Sequence, residues 1–148
     1  MILRHITNLK HLKDIVADGC LNNSKGTCRN NSHDSGRNYF EEYKGNDVLL
    51  EKFPEMKKAL WEVFPEMEKD WKEVIALDFD AEKMLADGLL YKKSMDDNKK
   101  QLEEYKFFTQ EEINAVGDFY YIPGTVSLKY LTTDSKDKLK EYVDGIKS

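Results

Sequence analysis

The dipeptide Pro123-Gly124 stands between two β-rich runs, Asp118–Ile122 and Thr125–Leu131, and a link this short predicts a hairpin. Two residues leave no room for the crossover that parallel strands require, so the fold is expected to contain antiparallel pairing. The rest of the chain must be compatible with that. Ile2–Ile6 is apolar and β-branched enough for a short strand, and Asn8 offers an N-cap to a helix with Leu9, Leu12, Ile15 and Val16 at helical spacing, closed by Gly19. Val74–Phe79 has the apolar density of a buried strand, Asp80 caps a short helix through Met84 and Leu85 that stops at Gly88, and Leu89-Leu90-Tyr91 reads as another strand. After a charged segment from Asp96 to Lys106, Thr109-Gln110-Glu111-Glu112 forms a capping box, and Asp134 opens a last amphipathic helix with Leu139, Tyr142, Val143 and Ile146 on its apolar side. Helices and short strands mix without the regular alternation of a doubly wound sheet. The expectation is one α+β domain over residues 1–148, with short, mostly antiparallel strands and peripheral helices.

Two segments interrupt this rhythm. From Cys20 to Asn46 the hydrophobic periodicity gives way to Asn, Ser, Gly, Lys and Arg, with Tyr39-Phe40 and Tyr43 as its aromatic anchors, and the stretch reads as a long loop. Around 46–72 the chain repeats itself briefly: Phe53-Pro54-Glu55-Met56 returns as Phe64-Pro65-Glu66-Met67, each followed by lysine and a Trp (Trp61, Trp71). Two Pro-initiated helical segments fit this pattern, as a local insertion whose aromatics serve packing.

Composition narrows the function. With 40% apolar and 34% charged residues, the 148-residue chain can bury a core without disulfides or a structural metal. No apolar run approaches the roughly 20 residues of a membrane helix, and Met1–His5 is too short for a secretion signal, so a cytoplasmic or cytoplasm-delivered protein that avoids membranes is expected. Cys20 and Cys28 are either free thiols or a single disulfide. A net charge of −5 disfavours a protein that wraps nucleic-acid phosphates. The polar chemistry is unevenly spread: His5, His11 and His33, together with Arg4, Arg29 and Arg37, all fall in the first 37 residues, and downstream positive charge is entirely Lys. Arg presents a bidentate fork for phosphate or carboxylate, and His orients polar ligands near neutral pH, so the chemistry is expected near the N-terminus. A metal site from Cys20, Cys28, His33 and Asp34 fits no standard zinc spacing, and no metal is expected.

Two motifs carry possible chemistry. In Leu3-Arg4-His5-Ile6-Thr7, His5 and Thr7 share a strand face beside a helix start; such a pair either holds a ligand or simply ends an edge strand. In Gly117-Asp118-Phe119-Tyr120-Tyr121, Asp118 is either a turn residue bonded to backbone amides or a carboxylate working in a cleft.

Together these residues resemble a known family. His5-Ile6-Thr7 followed by Leu12, Ile15, Gly19 and Leu21 is similar to the opening of the DNA-targeting ADP-ribosyltransferase toxins and related small bacterial and phage transferases, and Asp118-Phe119-Tyr120-Tyr121 followed by Val126, Leu128 and Leu131 resembles the strand pair that carries their catalytic acid. The match covers roughly a quarter of the chain. It departs from the toxins in having Asp118 where they have Glu, as in a His-Tyr-Asp group of toxin-like transferases, and His11 where they have Asn.

The resemblance implies an ADP-ribosyltransferase-like fold and a toxin- or effector-type enzyme that consumes NAD as substrate. It assigns Asp118, His5 and Tyr39 to catalysis: Asp118 beneath the cationic ribose, His5 on the adenosine-side ribose, Tyr39 stacked on nicotinamide. Thr7 would support the nicotinamide end, and Arg29 and Arg37 the diphosphate. The acceptor would be a macromolecule, protein rather than nucleic acid given the acidic charge, and a cognate antitoxin or immunity protein would be the natural partner. The shorter Asp118 leaves two alternatives open, an NAD glycohydrolase that transfers to water and a non-catalytic module that keeps the fold.

Overall fold

A computed structural model describes residues 1–21, 37–89, 91–93 and 98–147. In chain order, β1 (Ile2–Asn8) leads into α1 (Leu9–Asp18), followed by β2 (Cys20–Leu21), β3 (Arg37–Glu42), α2 (Val48–Met56), α3 (Lys58–Val63), a 3-10 turn at Pro65–Met67 and α4 (Glu68–Trp71). Then come β4 (Val74–Asp80), α5 (Ala81–Ala86), β5 (Lys92–Lys93), α6 (Asn98–Glu104), α7 (Gln110–Ala115), β6 (Phe119–Pro123), β7 (Val126–Ser127), a 3-10 turn at Leu128–Tyr130 and α8 (Thr133–Lys147). The fold is α+β.

Its centre is a five-stranded sheet in the order β4-β1-β3-β6-β5, in which every pairing is antiparallel. Strand β1 pairs along its whole length with β4, from Ile2 opposite Asp80 to Asn8 opposite Val74, and its other edge meets β3 with Arg4 opposite Glu41. Because side chains alternate across a strand, the register sorts the sheet into two faces. Leu3, Phe40, Leu77, Phe79 and Ile122 pack with α1, α5 and α8 on one face. On the other, Ile6 and Phe119 meet a second cluster built from Leu49 of α2, Leu102 of α6, Phe108 and Ile113 of α7.

The local signals behave as their chemistry dictates. Asn8 caps α1 through the amide of His11, and Gly19 ends it in the left-handed region with its N–H donating to the Ile15 carbonyl. Asp80 accepts from the amides of Glu82 and Lys83 at the start of α5, and Thr109 and Glu112 form the reciprocal capping box of α7. In the 46–72 segment Trp71 is buried, with ring contacts to Phe53 and His11. Pro65 opens the 3-10 turn as expected, but Pro54 lies inside α2 rather than starting a helix.

Three strand expectations need correction. The runs on either side of Pro123-Gly124 do not pair with each other: β3 and β5 occupy both edges of β6, so β7 turns away and pairs with β2, Leu21 opposite Val126. The turn acts as a joint between two sheets, pinned by the Asn38 side-chain amide donating to the Gly124 carbonyl at 2.7 Å. The supposed loop from Cys20 to Asn46 contains β3, the central strand of the large sheet. Its sequence, RNYFEE, hides this because a middle strand normally reads apolar, whereas here Asn38 and Glu41 are buried and held by polar partners. The strand expected at Leu89–Tyr91 begins instead at Lys92, and Leu90 lies outside the described residues.

Gly117 shows how tightly β6 is delivered to its neighbour. A Cβ at this position would overlap the Glu42 carbonyl, at the point where the Glu42 amide donates to the Asp118 carbonyl at 2.8 Å. Gly117→Ala is therefore expected to lower stability by about 2 kcal/mol or more in urea unfolding, because the two backbones must separate. Gly145→Ala, in α8 with open space around the added methyl, should be neutral or mildly stabilising in the same measurement.

Candidate functional site

The register places His5, Thr7 and Asp118 on one face of the sheet. His5 and Thr7 alternate along β1, and Asp118 continues the β6 ladder one residue before Phe119, across from Glu42, which belongs to the same row as Leu3. Two strand spacings and two residues of rise separate His5 from Asp118, roughly 12 Å between Cα atoms. His5 is half-buried. Its Nδ1 lies 2.8 Å from the Tyr39 carbonyl oxygen, an acceptor only, so Nδ1 carries the hydrogen and Nε2 is left as an acceptor. Burial pushes its imidazole below the usual histidine range, against the pull of that carbonyl, so the ring is neutral at pH 7. A neutral ring with a free Nε2 lone pair suits a hydroxyl donor better than a phosphate.

Asp118 is held by Lys93 across the β5–β6 pair, Nζ to carboxylate 3.5 Å, and its side chain is 39% exposed. Tyr120, next on this face, packs edge-on against Tyr91 at 5.3 Å, and its phenol is pushed up by burial and by the charges of Glu42 and Asp118. The face around Asp118 thus carries two carboxylates, a lysine and a phenol. Thr7 is buried opposite Ile75.

Of the remaining expected site residues, Tyr39 meets His5 through its backbone carbonyl and lines one cavity with it, but it does not reach Asp118. Tyr39 alternates with Phe40 and lies on the opposite face, its ring 6.0 Å from Tyr121, to which it is paired. Arg37 begins β3, but its side chain is outside the described residues, as is all of Arg29. Cys28, His33 and Asp34 are outside them too; among the described residues no three His, Cys, Asp or Glu side chains gather as a metal site. Among the described residues no helix is long and apolar enough to cross a membrane.

The opposite face holds chemistry that the sequence reading passed over. Arg4, 5% exposed, forms a bidentate pair with Asp78 (Nε to Oδ1 2.8 Å, Nη2 to Oδ2 3.0 Å), reaches Asp47 at 2.6 Å and lies 3.7 Å from the Tyr43 ring centroid. Burial disfavours its charge, but the hydrogen bonds it donates to Asp78 and Asp47 outweigh that and hold the guanidinium above its already high range. Glu41, opposite Arg4 and also 5% exposed, receives only a long 3.4 Å bond from the Gly117 amide. Burial therefore pushes its carboxyl up to about 7, with the Gly117 amide and Arg4 pulling the other way. An arginine inside an apolar strand was the available signal, since a buried guanidinium obliges carboxylates to gather around it.

The raised Glu41 group has a definite linkage sign. Between about pH 4.5 and 7 the unfolded chain releases this proton while the folded chain keeps it, so the contribution falls with rising pH and stays low above 7, a loss of about 3 kcal/mol. Glu41→Gln should consequently gain stability relative to the parent on going from pH 4.5 to pH 8 in paired urea titrations. An unchanged difference would mean that Glu41 ionises normally.

Comparison of the chain with protein families, curated proteins and solved structures finds no significant match.

Proposed function

We propose that the chain is an NAD-consuming ADP-ribosyltransferase of toxin or effector type, acting in a cytoplasm on a macromolecular acceptor, a protein by preference given the net charge of −5. The observation that most supports this reading is the register that brings His5, Thr7 and Asp118, far apart in sequence, to one sheet face. This face also packs the main core, so NAD would enter at its Asp118 edge, meeting that carboxylate with the nicotinamide-ribose 2′-hydroxyl and reaching the Nε2 acceptor of His5 with the other ribose. Tyr120, on this face, is better placed than Tyr39 to offer its ring to nicotinamide.

The reaction breaks the bond between ribose C1′ and the nicotinamide nitrogen. The bonding electrons leave with nicotinamide, which departs neutral, and the sugar becomes an oxocarbenium-like cation. A fixed carboxylate beneath that charge lowers the barrier electrostatically, and the acceptor nucleophile then bonds to C1′ and loses its proton. Asp118 must exchange its Lys93 contact for the hydroxyl to do this. That contact also favours the second reading, a module that binds NAD without turning it over, because the carboxylate already has a cation. Water as the acceptor gives the glycohydrolase variant of the same chemistry.

The test is nicotinamide release from NAD, alongside NAD binding by calorimetry. Release by the parent should fall about 100-fold or more in Asp118→Ala and His5→Ala, each confirmed folded by circular dichroism. Binding with no release, with or without candidate protein acceptors, selects the binding module, and release should then appear or increase in Lys93→Met if that ion pair is the obstacle. No NAD binding overturns both readings.

A further inference from the structure

A cavity of about 190 Å³ lies between the sheet and α2, away from Asp118, and His5 and Tyr39 are part of its lining. Its walls are largely apolar, formed by Ile6, Leu49, Phe53, Met56 and Phe119, and its polar lining includes Glu41, Arg4 and His5. Phe53 and Met56 are only half-buried and supply the solvent side. An apolar cavity of about 150 Å³ is enough to hold a benzene ring, so this one has room for a ring with a short substituent.

The charges around the cavity select the sign of that substituent. Arg4 is the cation at the floor, and its donors already go to Asp78 on β4 and Asp47 ahead of α2. Glu41 adds a third carboxyl to a guanidinium that two carboxylates already hold, and its own hydrogen bond, from Gly117 ahead of β6, is long. An anionic ligand would face an excess of negative charge. A ligand cation would supply the hydrogen bond that Glu41 lacks. Lys57 Nζ, 5.2 Å from the Phe53 ring centroid, is an example of a cation already resting on an aromatic ring of this wall.

We infer that this cavity is a binding site for a small aromatic or compact apolar ammonium, its ring among Phe53, Phe119, Leu49 and Met56 and its N–H groups donating to the Glu41 carboxylate. Binding is non-covalent: the ammonium keeps its protons, and any proton on Glu41 passes to solvent when the pair forms. The cavity shares His5 with the transferase reading, but its ligand contact is Glu41 and its probes are measured without NAD, so the two readings fail separately.

Benzylammonium is the probe, with benzyl alcohol and benzoate as neutral and anionic controls of similar shape, measured by calorimetry at pH 7.5. Benzylammonium should bind the parent about tenfold or more tightly than benzyl alcohol, with benzoate weakest. Glu41→Gln should remove that preference and leave the two neutral and cationic probes equal. Met56→Trp, which fills the cavity while leaving Glu41 in place, should abolish binding of all three, and it serves as the independent check should Glu41→Gln fail to fold. Equal binding of benzylammonium and benzoate by the parent, no binding of benzylammonium, or its undiminished binding to Met56→Trp would each overturn the inference.

Discussion

The guanidinium of Arg4 is the cross-link on which the large sheet depends. One buried charge ties β1 to β4 through the two oxygens of Asp78, ties the sheet to the start of α2 through Asp47, and lies against the Tyr43 ring. Asp78 is fixed from its backbone too: its N–H donates to the Ser135 Oγ at the first turn of α8. The β1–β4 seam is thus fastened from both faces, by the ion pair on one and by α8 on the other. A charge this deeply buried is unfavourable without its partners, and leaving it unpaired would cost about 3–5 kcal/mol, so the arrangement specifies which strand lies beside which more than it adds net stability.

That specification has a consequence for Glu41. The same register that puts Asp78 opposite Arg4 from one side puts Glu41 opposite it from the other, and only one of these carboxyls forms the bidentate pair. Glu41 is left buried, weakly bonded and close to a cavity. The two faces of the sheet therefore differ in chemical character. One packs the main core against α1, α5 and α8 and carries Asp118, Lys93 and Tyr120 at its β5–β6 edge; the other presents a largely apolar cavity with a displaced carboxyl.

How much of this was legible beforehand follows from the range over which each signal acts. Caps and capping boxes at Asn8, Asp80 and Thr109 are complete within four residues, and they are where sequence placed them. Buried strands with continuous apolar character, such as Val74–Asp80, were equally plain. Strand β3 was not, because its eligibility as a central strand rests on partners for Asn38 and Glu41 that come from Gly124 and Gly117, more than seventy positions away. Pro123-Gly124 reads locally as a hairpin and is only a turn, because whether the strand after it can pair back depends on β5 holding that edge, a fact no local window contains. The shared face of His5 and Asp118 is of the same kind. Each motif could be seen, and only the register joins them.

The position of β1 between two strands that follow it in sequence also shapes how the chain acquires its structure. Arg4 and Asp78, which form the seam's ion pair, are 74 positions apart, and the β1 strand is flanked on both edges by partners that follow it in sequence. Closing loops of that length must precede the contacts that reward it, so the β1–β4 pairing is a late, slow event, in contrast to the microsecond formation of helices such as α8. Until then Leu3 and Phe79, both fully buried in the finished fold, are uncovered together with unpaired strand edges. During synthesis or refolding this interval is when the chain is most exposed to aggregation and to capture by chaperones, and its length is set by topology rather than by the strength of any one contact.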